Sequence, residues 1–195
     1  MAYTTVADLK TYLGITGSGD DTLLGALAAA AQAALEREIG DVFEAAADSS
    51  RYFDAVADVD GRRLWFDGFC CAITSVTNGD GTTVSSDDYV TEPRNGDYFY
   101  AITLKASASV SWTYSSSPEN AITVAGKWAV TESAPADIEQ ATKRLAAYMY
   151  RLKDAQVFDA TAIPELGQVV IPKGTPADVW AVIRYWRNTL RTVPR

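Results

Sequence analysis

The hydrophobic period of this chain changes twice, and that change constrains the fold more than any motif does. From Thr5 to Val42 apolar residues recur every three or four positions, from about Arg51 to Trp128 they alternate, and after Pro135 the helical spacing returns. A helix buries a stripe with a period of 3.6 residues and a strand buries every second residue, so the two patterns belong to different elements. The succession predicts an α+β fold. A helical unit of four helices, residues 1–50 and 129–195, is interrupted by an antiparallel β module, residues 51–128, forming a small sandwich or barrel.

Local signals mark the helix ends. Thr5 and Asp8 have capping-box spacing, and Gly14 stands where a chain leaves a helix with positive φ. Val6, Leu9 and Leu13 share one face of this first helix. Ser18 and Asp21 repeat the capping spacing before a second helix predicted over Leu23–Val42, with Asp20 as the other candidate cap. Its buried stripe is Leu24, Ala28, Ala31, Leu35, Ile39 and Val42, and the small residues Ala28–Ala31 allow close helix approach. The pair either covers its own core or forms a subunit interface. Pro135 fits the first turn of a third helix, whose buried face runs through Ile138, Ala141, Leu145, Tyr148 or Met149, and Leu152. Glu139 and Lys143 form a four-residue ion pair on it.

Residues 157–175 form a long connection with one apolar piece, Val169-Val170-Ile171. It is either a disordered link or an arm that orders on a neighbouring subunit, and the arm is expected. The last helix opens on Thr175-Pro176-Ala177-Asp178, a third capping box, and buries Val179, Ile183, Trp186 and Leu190. Arg184, Arg187 and Arg191 lie on an adjacent face with Trp180 one turn earlier, as a solvated stripe or a docking strip.

In the β region the predicted strands are Arg51–Asp54, Arg63–Phe66, Ala72–Thr77, Asp88–Thr91, Tyr98–Leu104, Val110–Tyr114 and Ile122–Trp128. Asn78-Gly79-Asp80-Gly81 carries two turn dipeptides and predicts a hairpin.

Much chemistry is excluded or unsupported. The chain has no histidine, which removes serine–histidine and cysteine–histidine nucleophiles and histidine-bearing metal sites. Adjacent Cys70 and Cys71 predict neither an internal disulfide nor a zinc site. Asp58-Val59-Asp60-Gly61 glances at a calcium loop, but Val56 stands where the first acid belongs and no glutamate closes it. There is no P-loop or dinucleotide fingerprint. No catalytic, cofactor-binding or metal-binding residue is assigned, no cofactor is expected, and the chain is read as a non-enzyme. No stretch has the apolar length of a membrane span, and the N-terminus shows no secretory signal, so synthesis in a cytoplasm is expected.

The net charge of −8 is uneven, with residues 135–195 carrying nine bases against six acids. An acidic body with a basic end argues against general nucleic-acid binding and suits head-to-tail association or docking on an acidic partner.

The run Thr5-Val6-Ala7-Asp8-Leu9-Lys10-Thr11-Tyr12-Leu13-Gly14-Ile15, with Asp20-Asp21 opening a Leu/Ala helix, resembles the start of the head–tail connector (adaptor) proteins of tailed bacteriophages. Asn120–Trp128, Pro135-Ala136-Asp137-Ile138 leading into Ala141–Arg151, and Ile171–Pro176 before a terminal helix extend the resemblance to about half the chain. It implies a homo-oligomeric ring, typically twelvefold in that family, beneath the portal at the head–tail junction of the virion. Such a ring binds the portal protein, offers a platform to the next neck or tail protein, and lets DNA pass without specific binding. The subunits are made in the cytoplasm of the bacterial host. By the same analogy Thr175–Arg195, with Trp180, Arg184, Arg187 and Arg191, is the portal-docking element. The β module exceeds what a minimal helical adaptor needs. Its aromatic set (Trp65, Tyr98, Phe99, Tyr100, Trp112, Tyr114 and Trp128) supplies the alternative of a glycan- or surface-binding module.

Overall fold

A computed structural model describes residues 2–45, 47–153, 162–163, 167–168 and 174–192. It has the α+β architecture that the two periods predict, with four α-helices and two four-stranded antiparallel sheets among the described residues. The chain divides into two compact units. One holds Asp41–Ala134 together with the chain from Leu190 onward, and the other holds Ala2–Gly40 and Pro135–Thr189.

The helical unit contains α1 (Val6–Leu13), α2 (Asp21–Ile39), α3 (Ala136–Leu152) and most of α4 (Ala177–Arg191). The first capping box forms as expected: Thr5 Oγ1 accepts from Asp8 N at 3.1 Å, and Asp8 Oδ2 accepts from Thr5 N at 3.3 Å. Gly14 closes α1 at φ 73°, in the left-handed region that glycine enters without a Cβ penalty. On α2, Leu24, Ala28, Ala31, Leu35 and Ile39 are all buried, and α3 packs against this helix. Each fully buried Leu or Ile contributes about 1.5–3 kcal/mol relative to exposure.

Several helix details differ from expectation. Ser18 and Asp21 do not form a capping box; Asp20 occupies the N-cap of α2, yet its carboxylate makes no cap bond. It is drawn away to α3, accepting from the Tyr150 hydroxyl and, at 3.1 Å, from Lys153 Nζ. Gly40 at φ 94° ends α2 before Val42, which is 41% exposed. Pro135 is the N-cap of α3, at ψ 148°, and not its first helical residue. The buried face of α3 is Ile138, Ala141, Thr142, Leu145, Ala146 and Ala147, whereas Leu152 is 39% exposed. At the start of α4 the Pro176 carbonyl accepts from Trp180 N at 3.0 Å, and Asp178 is engaged by Arg144.

The β unit has strands β1 (Ser49–Phe53), β2 (Val59–Asp60), β3 (Arg63–Cys70), β4 (Ala72–Thr77), β5 (Thr83–Val84), β6 (Tyr89–Glu92), β7 (Phe99–Leu104) and β8 (Ile122–Lys127). One sheet runs β1-β8-β4-β5 and the other β2-β3-β7-β6. A shared core of Phe53, Leu64, Phe66, Val76, Ile102, Leu104, Ile122, Val124 and Trp128 lies between them, an open sandwich. The Phe53, Phe66 and Trp128 rings meet at centroid distances of 5.2 to 5.8 Å. The Asn78–Gly81 turn joins β4 to β5 as a hairpin.

The expected strand at Val110–Tyr114 is absent; apart from an isolated bridge at Tyr114, this is a pinned loop. Asn78, 2% exposed, donates to the Ser111 carbonyl at 2.9 Å and accepts from Thr113 N at 3.1 Å. The Trp112 indole N–H donates to the Arg62 carbonyl at 3.0 Å, and the Arg62 guanidinium donates to the carbonyls of Leu104, Lys105 and Ala108. Side chains satisfy this backbone where a ladder would otherwise have done so. Two glycines are fixed by close approach. A Cβ at Gly79 would lie 2.4 Å from the Thr113 carbonyl oxygen, and one at Gly126 would lie 2.2 Å from that of Ala72.

Candidate functional site

The helical unit presents a cleft of about 390 Å³ between the end of α1, the Arg144–Arg151 side of α3 and the first turn of α4. Its walls are Tyr12, Arg144, Ala147, Tyr148, Arg151, Pro176, Ala177 and Asp178. Arg144, Ala147, Tyr148 and Arg151 recur at three, four and seven residues, so α3 aligns them on one face. Arg144 Nε lies 3.0 Å from Asp178 Oδ2, tying α3 to the head of α4. A hydrogen bond with the Tyr12 phenol, followed by the charge of Asp178, holds the Arg144 guanidinium further toward its protonated form. Both members of the ion pair are about half exposed, so solvent screens it and its own stabilisation is small. Arg151, exposed at the far end, has no ion-pair partner among the described residues.

Pro176 also begins the stripe of α4. Trp180, Arg184, Arg187 and Arg191 follow at four, eight, eleven and fifteen residues, all within one narrow helical face. Arg184 and Arg191 are exposed, while Trp180 and Arg187 are half-buried. Among the described residues Arg184 makes a polar contact only with its own turn, donating from Nε to the Trp180 carbonyl at 3.4 Å. Arg187 is different: its Nε is buried without a hydrogen-bond partner among the described residues. Trp186 lies on the neighbouring face and donates to Asp137 Oδ2 at 2.8 Å. Val169, Val170 and Ile171, assigned to an arm, lie outside the described residues. Nearby, Ala162–Ile163 pairs antiparallel with Gly167–Gln168.

Sequence reasoning found the α4 stripe but missed the cleft, because Tyr12 and Arg144 are 132 residues apart and neither carries a motif. The 3-4 spacing from Arg144 to Arg151 was the available signal.

The aromatic set of the β unit does not form one platform. Trp128 and Trp112 are committed to the fold, their indole N–H groups donating to the Ser49 and Arg62 carbonyls at 2.9 and 3.0 Å. Trp65 and Tyr100 stack at 5.9 Å and 16° in partly exposed positions. Arg63 lies 4.9 Å over the Trp65 ring and bonds Glu92 at 3.0 Å.

Buried Cys70 has its thiol pushed up to about 12, chiefly by desolvation, which suits a packed strand residue and not a nucleophile. Asp54 Oδ1 accepts from Val56 N and Ala57 N, and Asp58 Oδ2 accepts from Asp54 N, so Asp58 of the calcium-like segment closes a self-bonded turn and Val59–Asp60 forms β2. Among the described residues no group of three or more Cys, Asp or Glu could hold a metal ion, and no helix is long and apolar enough to cross a membrane.

No protein-family model and no curated protein sequence matches the chain. Solved structures that share its fold include two from phage-like particles. One is a chain from the neck of an empty GTA particle computed with C6 symmetry, with a TM-score of 0.56, 19% identity, and coverage of 95% of this chain and 89% of that one. The other is from the virion of a native gene transfer agent (GTA) particle, with a TM-score of 0.53, 18% identity, and coverage of 89% and 94%.

Proposed function

We propose that this chain is a structural protein of the neck of a phage-like particle, one copy of a ring that joins head to tail. The observation that carries this reading is the extent of the fold match. Nearly the whole of the chain, helical and β parts together, superposes on nearly the whole of a neck chain. A β module grafted onto an unrelated helical domain would have matched in one part only.

The finer features follow from the same reading. The ring sits below the portal, the α4 stripe of Trp180, Arg184, Arg187 and Arg191 docks on it, and the next neck or tail protein binds the opposite side. Sixfold symmetry in the neighbour's particle is compatible with six copies or with twelve, since a twelvefold ring contains the sixfold operation. A net charge of −8 suits the wall of a DNA conduit, because acidic surfaces do not retain passing phosphates.

Purified particles provide the test. Mass spectrometry and antibody-labelled electron micrographs are expected to find the polypeptide at the head–tail junction in a fixed ratio to the portal protein. Particles that contain a neck but lack this chain would overturn the proposal.

A further inference from the structure

We infer that the α1–α3–α4 cleft is a socket for the acidic β unit of a second copy of this chain, a deepening that rests on the ring reading above. Three observations converge on this occupant. The cleft is a formed concavity with an aromatic and small-apolar lining between two arginines, a surface that fits a carboxylate beside a short apolar side chain. Arg144 is already compensated by Asp178, whereas Arg151 at the rim has no ion-pair partner among the described residues, so the cleft carries a net positive charge. The chain itself supplies the complement. Residues 51–134 hold eleven acids against six bases, and Asp60, Asp87, Asp97 and Glu119 are exposed without an ion pair among the described residues.

The two surfaces are different patches of one molecule. Their contact is therefore heterologous, running head to tail, the kind that closes into a ring when the rotation between copies allows it. A patch that paired with itself would give only a twofold dimer.

The experiment places a benzophenone amino acid at Tyr12, which is 38% exposed at the mouth of the cleft, in the full chain. Isotopically light and heavy copies are mixed, associated at high concentration, irradiated and digested. Mixed light–heavy crosslinks to peptides within residues 54–119 are expected. Crosslinks confined to a single copy, crosslinks elsewhere, or none at all would overturn the socket. As a second arm, Arg151→Glu should weaken self-association by at least tenfold without moving the melting transition, while Arg94→Glu on the β unit should not weaken it. Equal behaviour of the two variants would also overturn it. These failures are distinguishable from failure of the neck reading, which is decided by whether the polypeptide is present at the junction.

Discussion

At the scale of single residues, a few polar side chains and glycines fix what the hydrophobic pattern leaves open. Asn78 is the clearest. Its buried amide holds Ser111 and Thr113, so Asn78→Ala removes the side-chain bonds that pin this loop and should cost about 1–3 kcal/mol. Urea titration would measure the loss, together with faster proteolysis within 105–118. Gly126→Ala forces a methyl group against the Ala72 carbonyl in the middle of a sheet, and an equal or larger loss is expected in the same titration. Asp20 gives a pH signature. Donation from the Tyr150 hydroxyl, and then from Lys153, lowers its pKa below the ordinary 3.8. A depressed carboxylate stabilises fully above its unfolded value, and that stabilisation is lost as pH falls through the folded one. The melting-temperature gap between wild type and Asp20→Asn should therefore be constant at neutral pH and shrink below about pH 4. A gap that instead widened in acid would show that Asp20 is not held in this way.

At the scale of elements, α4 carries a buried apolar face beside an exposed basic one, the latter proposed for docking. Val179, Ile183 and Leu190 are buried, and the arginine stripe beside them faces outward at Arg184 and Arg191. Charge reversal of all three arginines would confound docking with folding, because Arg187 has a buried nitrogen. The double substitution Arg184→Glu and Arg191→Glu isolates the proposed docking role. Its melting curve should match wild type, while incorporation into particles, read by quantitative immunoblot, should fall by about tenfold or more, as expected for loss of about 1.4 kcal/mol or more of docking energy. Unchanged incorporation would remove α4 from the interface. The start of α4 was legible from Pro176 and Asp178, but the partner of Asp178 was not, because an ion pair with α3 leaves no local pattern.

At the scale of the whole molecule, acidic and basic residues are segregated along the chain, so the proposed association of copies should be sensitive to ionic strength. Raising salt from about 0.05 to about 0.5 M shortens the Debye length several-fold and should lower the oligomer fraction in light scattering. Oligomers indifferent to salt would assign the interface to apolar surface.

The sequence alone determined the fold class, the order of helical and β segments, the α2 stripe from Leu24 to Ile39, the Asn78–Gly81 hairpin and the alignment of Trp180, Arg184, Arg187 and Arg191 along α4. Each of these depends on residues within a turn or two of one another, where period and capping chemistry act. Tertiary structure alone decided the loop at 110–114, the diversion of Asp20 from its cap, and the cleft that brings Tyr12, Arg144 and Asp178 together. Those features depend on groups from distant parts of the chain competing for the same hydrogen bonds and charges, and a linear pattern carries no record of which partner wins.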